Sequence, residues 1–79
     1  MGSPHIQNVI RRLRFEAEEM TQAELAEKVG VSRQTIIMIE NGKYNPSLEL
    51  SFRIASAFGV RIDEVFSYDP REMKEKRPQ

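Results

Sequence analysis

The chain contains no cysteine, no tryptophan and a single histidine, His5. Without cysteine there is neither a disulfide framework nor thiolate chemistry, and one histidine leaves transition-metal ligation to carboxylates alone. Glycine is sparse as well. The four glycines stand singly, at turns and near the terminus, so no glycine-rich loop is available to cradle a phosphate. No apolar run approaches the roughly 18 residues a membrane helix needs, and nothing near the start resembles a secretion signal. Charge of one sign is also missing. Twelve Lys and Arg are matched by twelve Asp and Glu, which argues against nucleic-acid binding through bulk charge and leaves any such contact to local arrangement.

What is present is an ordinary globular balance, 39% hydrophobic and 30% charged over 79 residues. That length fits one small domain whose core stabilises it only modestly, so a partner subunit is expected, and the cytoplasm is the expected compartment. The basic run at Arg11, Arg12 and Arg14 and the one at Arg71, Lys74, Lys76 and Arg77 read as solvated faces. Adjacent acids, Glu18 with Glu19 and Asp63 with Glu64, suit helix starts and wet faces better than an active site. No catalytic residue, metal or cofactor is assigned, and the chain is read as a non-enzyme.

Hydrophobic spacing and capping signals predict five short helices around one core. Residues 1–5 read as an N-terminal extension or an expression remnant, 6–69 as the domain, and 70–79 as a charged tail. A first helix is predicted from Ile6 to Glu18, with Ile6, Val9, Ile10, Leu13 and Ala17 on one stripe. Thr21 and Glu24 form a T-x-x-E capping box for a second, which Gly30 stops. Ser32 caps a third that ends at Glu40 or Asn41, before Gly42. Its "TIIMI" favours strand by propensity, but the caps and the spacing of Ile36 and Ile39 make helix the more coherent reading. Ser47 opens a fourth helix closed by Gly59, and a short fifth is expected from Ile62 to Phe66 with Ile62, Val65 and Phe66 inward.

The third helix has two faces in conflict. At about 100° per residue, Thr35, Ile36 and Ile39 fall on one side, and Arg33, Gln34, Ile37, Met38 and Asn41 on the other. Two helices joined by a very short turn, the second showing a mixed polar face, form the layout that places a helix in the DNA major groove. From "TQAELAEKVGVSRQTIIMIENGKYNPSLEL" to "IASAFGVRIDEVF", the chain resembles the helix-turn-helix domain of the XRE family, which includes the phage repressor and Cro regulators. The match runs from about Ile6 to Phe66. Thr-Gln at the second helix, Gly in the turn, Ile-Glu-Asn-Gly at the third helix end and Asn-Pro-Ser after it occur in order.

The resemblance implies an all-α, five-helix, lambda-repressor-like fold and a task of binding double-stranded DNA. It implies that Gln22 bonds a phosphate and braces Gln34, and that Arg33, Gln34 and Met38 reach base edges. Ser32 and Thr35, at the start of the same helix, join that DNA-facing set. Asn41, Lys43 and Tyr44 match the stretch that grips the backbone. Arg14 matches a residue that in some members pairs internally with the one matching Glu40. Two departures stand out: the loop between Arg14 and Thr21 is one residue longer than usual and lacks a glycine before Met20, and Ile37 replaces a small or polar residue. An apolar side chain here can read the C5-methyl of thymine, while Arg33 suits guanine and Gln34 adenine; packing on a neighbouring helix or subunit is the alternative for Ile37.

On the fourth helix, Leu48, Phe52, Ala55 and Phe58 form one apolar stripe and Leu50, Ile54 and Ala57 another. One is expected to be core. A two-fold dimer through Leu50, Ile54, Val60 and Phe66 would match family practice. The expected function is a dimeric, sequence-specific transcriptional regulator, a repressor by preference, with no small-molecule ligand and no membrane partner. The alternative is a protein-binding module such as the antitoxin of a toxin-antitoxin pair.

Overall fold

The computed structural model describes residues 5–70; residues 1–4 of the N-terminal extension and most of the charged tail lie outside them. In chain order it comprises strand β1 (Ile6–Asn8), helices α1 (Ile10–Glu16), α2 (Gln22–Val29), α3 (Arg33–Glu40) and α4 (Leu48–Phe58), a 3₁₀ turn (Ile62–Glu64) and strand β2 (Phe66–Tyr68). Among the described residues the domain is mostly helical, with four α-helices and a two-stranded sheet, not five helices.

Both ends of the expected bundle are thereby corrected. Ile6–Asn8 pairs antiparallel with Phe66–Tyr68, Ile6 opposite Tyr68 and Asn8 opposite Phe66. Val9 N–H donates to the Val65 carbonyl at 3.0 Å and Asp69 N–H to that of His5 at 2.7 Å. The Asn8 side chain accepts from Ile10 N–H at 3.1 Å, a local bond that turns the chain and delays α1 until Ile10. At the other end the expected fifth helix shrinks to one 3₁₀ turn, because from Phe66 onward the backbone bonds to β1 instead of continuing a helix. Val65 is buried as expected, and Ile62 and Phe66 pack partly covered against the core.

The middle of the chain follows its capping signals. Thr21 and Glu24 make the reciprocal capping box, and Gly30 ends α2 at φ 80°, a left-handed conformation that favours glycine. Arg53 on α4 donates to the Val29 carbonyl at 3.1 Å, satisfying the end of α2 from across the fold. Ser47 accepts from Leu50 N–H at 3.1 Å and starts α4.

One core forms from Ile10, Leu25, Ala26, Val29, Ile36, Ile39, Leu50, Ile54, Ala55 and Val65. Ala26 lies buried on α2, where its small side chain lets α3 approach. Leu50 and Ile54 belong to this core, Ile54 with no exposed surface, so their expected place at a subunit interface is corrected. The open apolar pair on α4 is Leu48 and Phe52, 70% and 54% exposed. Neither stripe is inward as a whole: Ala55 joins Leu50 and Ile54 in the core with Ala57 and Phe58 packed against it, and only the first two turns of the other stripe, Leu48 and Phe52, stay open.

The loop after α1 also departs from the glycine-containing pattern. Glu18 and Glu19 both adopt φ 58°, and Met20 N–H returns to the Arg14 carbonyl at 2.9 Å. Two non-glycine residues thus hold the left-handed region, where Cβ crowds the following carbonyl.

Candidate nucleic-acid interface

Helix α3 is held by its ends more than by the propensity of its interior. Ser32 is extended, and its hydroxyl accepts from Thr35 N–H at 3.2 Å and lies 3.0 Å from the Thr35 hydroxyl. At the far end, Lys43 N–H reaches the Met38 carbonyl at 2.9 Å and Gly42 N–H the Ile39 carbonyl at 3.0 Å, with Gly42 at φ 74°. That pair of bonds is a Schellman closure. Between the caps, Ile36 and Ile39 are buried and drive the helix onto α2.

The opposite face is open. Ser32, Arg33, Gln34, Met38 and Asn41 are exposed, followed by exposed Lys43 and Tyr44, while Thr35 and Ile37 are partly covered. Ile37 is therefore less free than its place on the outer face implied, and Met38 is the apolar side chain that stands furthest out, at 37% exposed. The exposed side chains supply a guanidinium, two carboxamides, an ammonium and hydroxyls. These are the donors and acceptors that can meet phosphates and base edges.

Behind this face, the last turn of α3 is braced by an ion pair. Arg14 Nε donates to Glu40 Oε2 at 2.6 Å and its Nη2 to Oε1 at 3.1 Å, with both side chains mostly covered. Arg14 Nη1 also holds the Met20 carbonyl at 2.8 Å. Arg14 is thus internal, as the pairing with Glu40 implied. Gln22, expected to brace Gln34, instead donates its amide nitrogen to Glu40 Oε1 at 3.1 Å. The carboxylate outcompetes a neutral amide as acceptor, being charged and already fixed by Arg14.

Arg11, Arg33, Thr21, Gln22, Glu40 and Asn41 line one open cleft between α1, the start of α2 and α3. In the sequence alone Arg11 belongs to a solvated basic run. Its place in the same cleft as Arg33 follows from how α1 packs, and no local signal in "RRLR" separates it from Arg12. Elsewhere, Arg61 donates to both carboxylate oxygens of Asp63, at 3.0 and 3.1 Å, and holds that carboxyl below its ordinary range. This pair lies beside the 3₁₀ turn and serves its start. Among the described residues no helix is long and apolar enough to cross a membrane.

A family model described as "Helix-turn-helix" matches residues 10–65. An uncharacterized HTH-type transcriptional regulator of Archaeoglobus fulgidus is 53% identical over 58 residues, which cover 73% of this chain and 82% of that protein. The cryptic phage CTXphi transcriptional repressor RstR of Vibrio cholerae is 36% identical over 67 residues, covering 85% of this chain and 60% of the repressor. Among solved structures, the restriction-modification controller protein C.AhdI from Aeromonas hydrophila aligns with a TM-score of 0.63 at 31% identity, over 70% of this chain and 82% of that one.

Proposed function

This chain belongs to the XRE-type helix-turn-helix family of DNA-binding transcriptional regulators, and on that premise we propose that it represses transcription as a homodimer bound to a specific operator. The observation that carries the reading is the division of α3: Ile36 and Ile39 fix one face in the core, and the other presents Arg33, Gln34, Met38 and Asn41 to solvent. Residues 6–69 are the DNA-binding unit, a boundary supported by the family match inside it and by the pairing of β1 with β2.

On this reading α3 enters the major groove. Arg33 grips guanine O6 and N7, Gln34 grips adenine N6 and N7, and Met38 and Ile37 lie against thymine methyls. Ser32 and Thr35 at the first turn, Gln22 at the start of α2, and Asn41, Lys43 and Tyr44 beyond α3 contact the backbone and fix the register. Arg11, in the same cleft as Arg33, adds a phosphate contact. Repression is favoured over activation by likeness to a protein named a transcriptional repressor. The exposed pair Leu48 and Phe52 supports a dimer contact on α4, and partly covered Val60 and Phe66 extend the candidate surface. A two-fold pair would set two copies of α3 about 34 Å apart, one DNA turn.

Selecting bound sequences from a random DNA pool tests this directly. A two-fold symmetric motif with half-sites one turn apart is expected, and Arg33→Ala should relax the choice of base at one position of each half. Absence of any enriched motif would remove the proposal.

A further inference from the structure

Asn8 lies in β1, and both ends of its carboxamide are used. Its Oδ1 accepts from Ile10 N–H at 3.1 Å, opening α1, while its Nδ2 donates to the Ile39 carbonyl at 3.0 Å, across 31 residues of chain. Ile39 is next to last in α3, and its carbonyl also receives Gly42 N–H at 3.0 Å. Glu40, the last residue of α3, is held by Arg14 and Gln22. Two adjacent residues of α3 are therefore anchored from different elements, and Asn8 links the sheet end of the molecule to the α3 backbone.

We propose that Asn8 is a positioning residue for DNA recognition, acting through the Ile39 carbonyl to hold the C-terminal turn of α3 at the angle the groove requires. This rests on the DNA-binding reading above. An eight-residue helix is about 12 Å long, so a tilt of about 10° moves its end by about 2 Å, more than a bidentate base contact tolerates. Ser32 fixes the N-terminal end only. If α3 occupies its aligned position a tenth of the time, the apparent affinity for the operator falls by the same factor. Binding through phosphates alone needs no such alignment and changes little.

Two functions of one side chain can be separated by substitution. In Asn8→Ser the hydroxyl can still accept the Ile10 N–H, as serine does at helix starts, but it is too short to reach Ile39. Asn8→Asp keeps the acceptor and replaces the donor with a carboxylate oxygen that repels the carbonyl. Binding of the full chain to the selected operator and to a scrambled duplex of equal length is measured beside amide hydrogen exchange of the free protein. Both variants are expected to lose roughly tenfold in operator affinity, with less than about twofold change on the scrambled duplex. Exchange at Asn41 and Gly42 should accelerate, while that in α4 stays as in wild type.

Val65→Ala serves as control, since it thins the core while leaving both Asn8 side-chain hydrogen bonds in place. It should lower stability yet keep the ratio of operator to scrambled binding. An unchanged ratio and unchanged Gly42 exchange in Asn8→Ser overturn the proposal, as does a ratio lost equally in Val65→Ala. A wild type that shows no preference between the two duplexes removes the DNA reading instead; exchange at Gly42 then still decides whether Asn8 restrains α3.

Discussion

At the scale of single residues, Ile37 and Arg14 show how one position is assigned a task by what surrounds it. Ile37 is partly covered and Met38 open, on a face otherwise polar. If they read thymine, replacing thymine by uracil at the facing operator positions removes only a methyl group and should weaken wild-type binding by about 1 kcal/mol. Ile37→Ala should bind the thymine operator more weakly and respond little to the swap, while losing less than about 1 kcal/mol of folding stability, because the side chain is not core. A fluorescence titration with the two duplexes checks the first point and urea unfolding the second. Indifference of the wild type to every uracil substitution would leave base reading to Arg33 and Gln34. Arg14 sits at the other extreme, mostly covered and making three hydrogen bonds. Arg14→Met leaves Glu40 charged and half-paired and should cost about 2–3 kcal/mol, toward the low end for a broken buried pair because Gln22 still donates to Glu40. The urea midpoint reports it, and adding Glu40→Met should return part of the loss.

At the scale of elements, end groups outweighed interior propensity. "TIIMI" would suit a strand, yet Ser32 at one end and the Gly42 closure at the other fix it as a helix, and Ile36 and Ile39 bury only in that form. The capping box of α2, the Ser47 cap of α4 and the glycine stops of both were readable for the same reason: a cap is a bond between residues three or four apart, so both partners are visible in one short window. The loop after α1 is the counterexample. Glu18 and Glu19 hold φ 58° without glycine, and an ordinary L-residue is roughly 1–2 kcal/mol less stable there. Glu19→Gly should therefore stabilise the fold by about 0.5–1 kcal/mol, the strain relieved minus the larger entropy of a glycine in the unfolded chain. Thermal unfolding measures it, and a lower midpoint would mean that the Glu19 side chain contributes more than its backbone strain removes.

At the scale of the molecule, a small core leaves apolar surface over. Leu48 and Phe52 are i, i+4 on α4 and together form the open stripe of that helix. A charge placed in an apolar subunit contact is strongly unfavourable, so Phe52→Glu should dissociate a dimer formed there while leaving the helix content intact. Sedimentation at several concentrations, with circular dichroism on the same samples, gives the answer. A dimer of unchanged mass in Phe52→Glu would move the contact to Val60 and Phe66, for which Val60→Glu is the matching test. Ile54→Glu, by contrast, should unfold the protein, since Ile54 has no exposed surface in the single subunit.

The sequence by itself determined α2, α3, their short turn, the start and stop of α4, and the outward face of Arg33, Gln34 and Asn41, because caps, glycine stops and helical periodicity act over a few residues. It also carried the family resemblance, and with it the pairing of Arg14 with Glu40. Only the tertiary structure decided that Ile6–Asn8 is a strand, since its partner Phe66–Tyr68 lies at the other end of the domain and no local window contains both. The same contact limited the fifth helix to a 3₁₀ turn. Which residues of the two apolar stripes of α4 went inward was likewise undetermined, until docking on α2 and the 3₁₀ turn buried Leu50, Ile54 and Ala55 and left Leu48 and Phe52 outside. Gln22 turned to Glu40, Arg11 came to line the cleft that Arg33 lines, and Asn8 reached Ile39 for the same physical reason. Each is a placement of groups distant in sequence, fixed by packing once the short-range elements had formed.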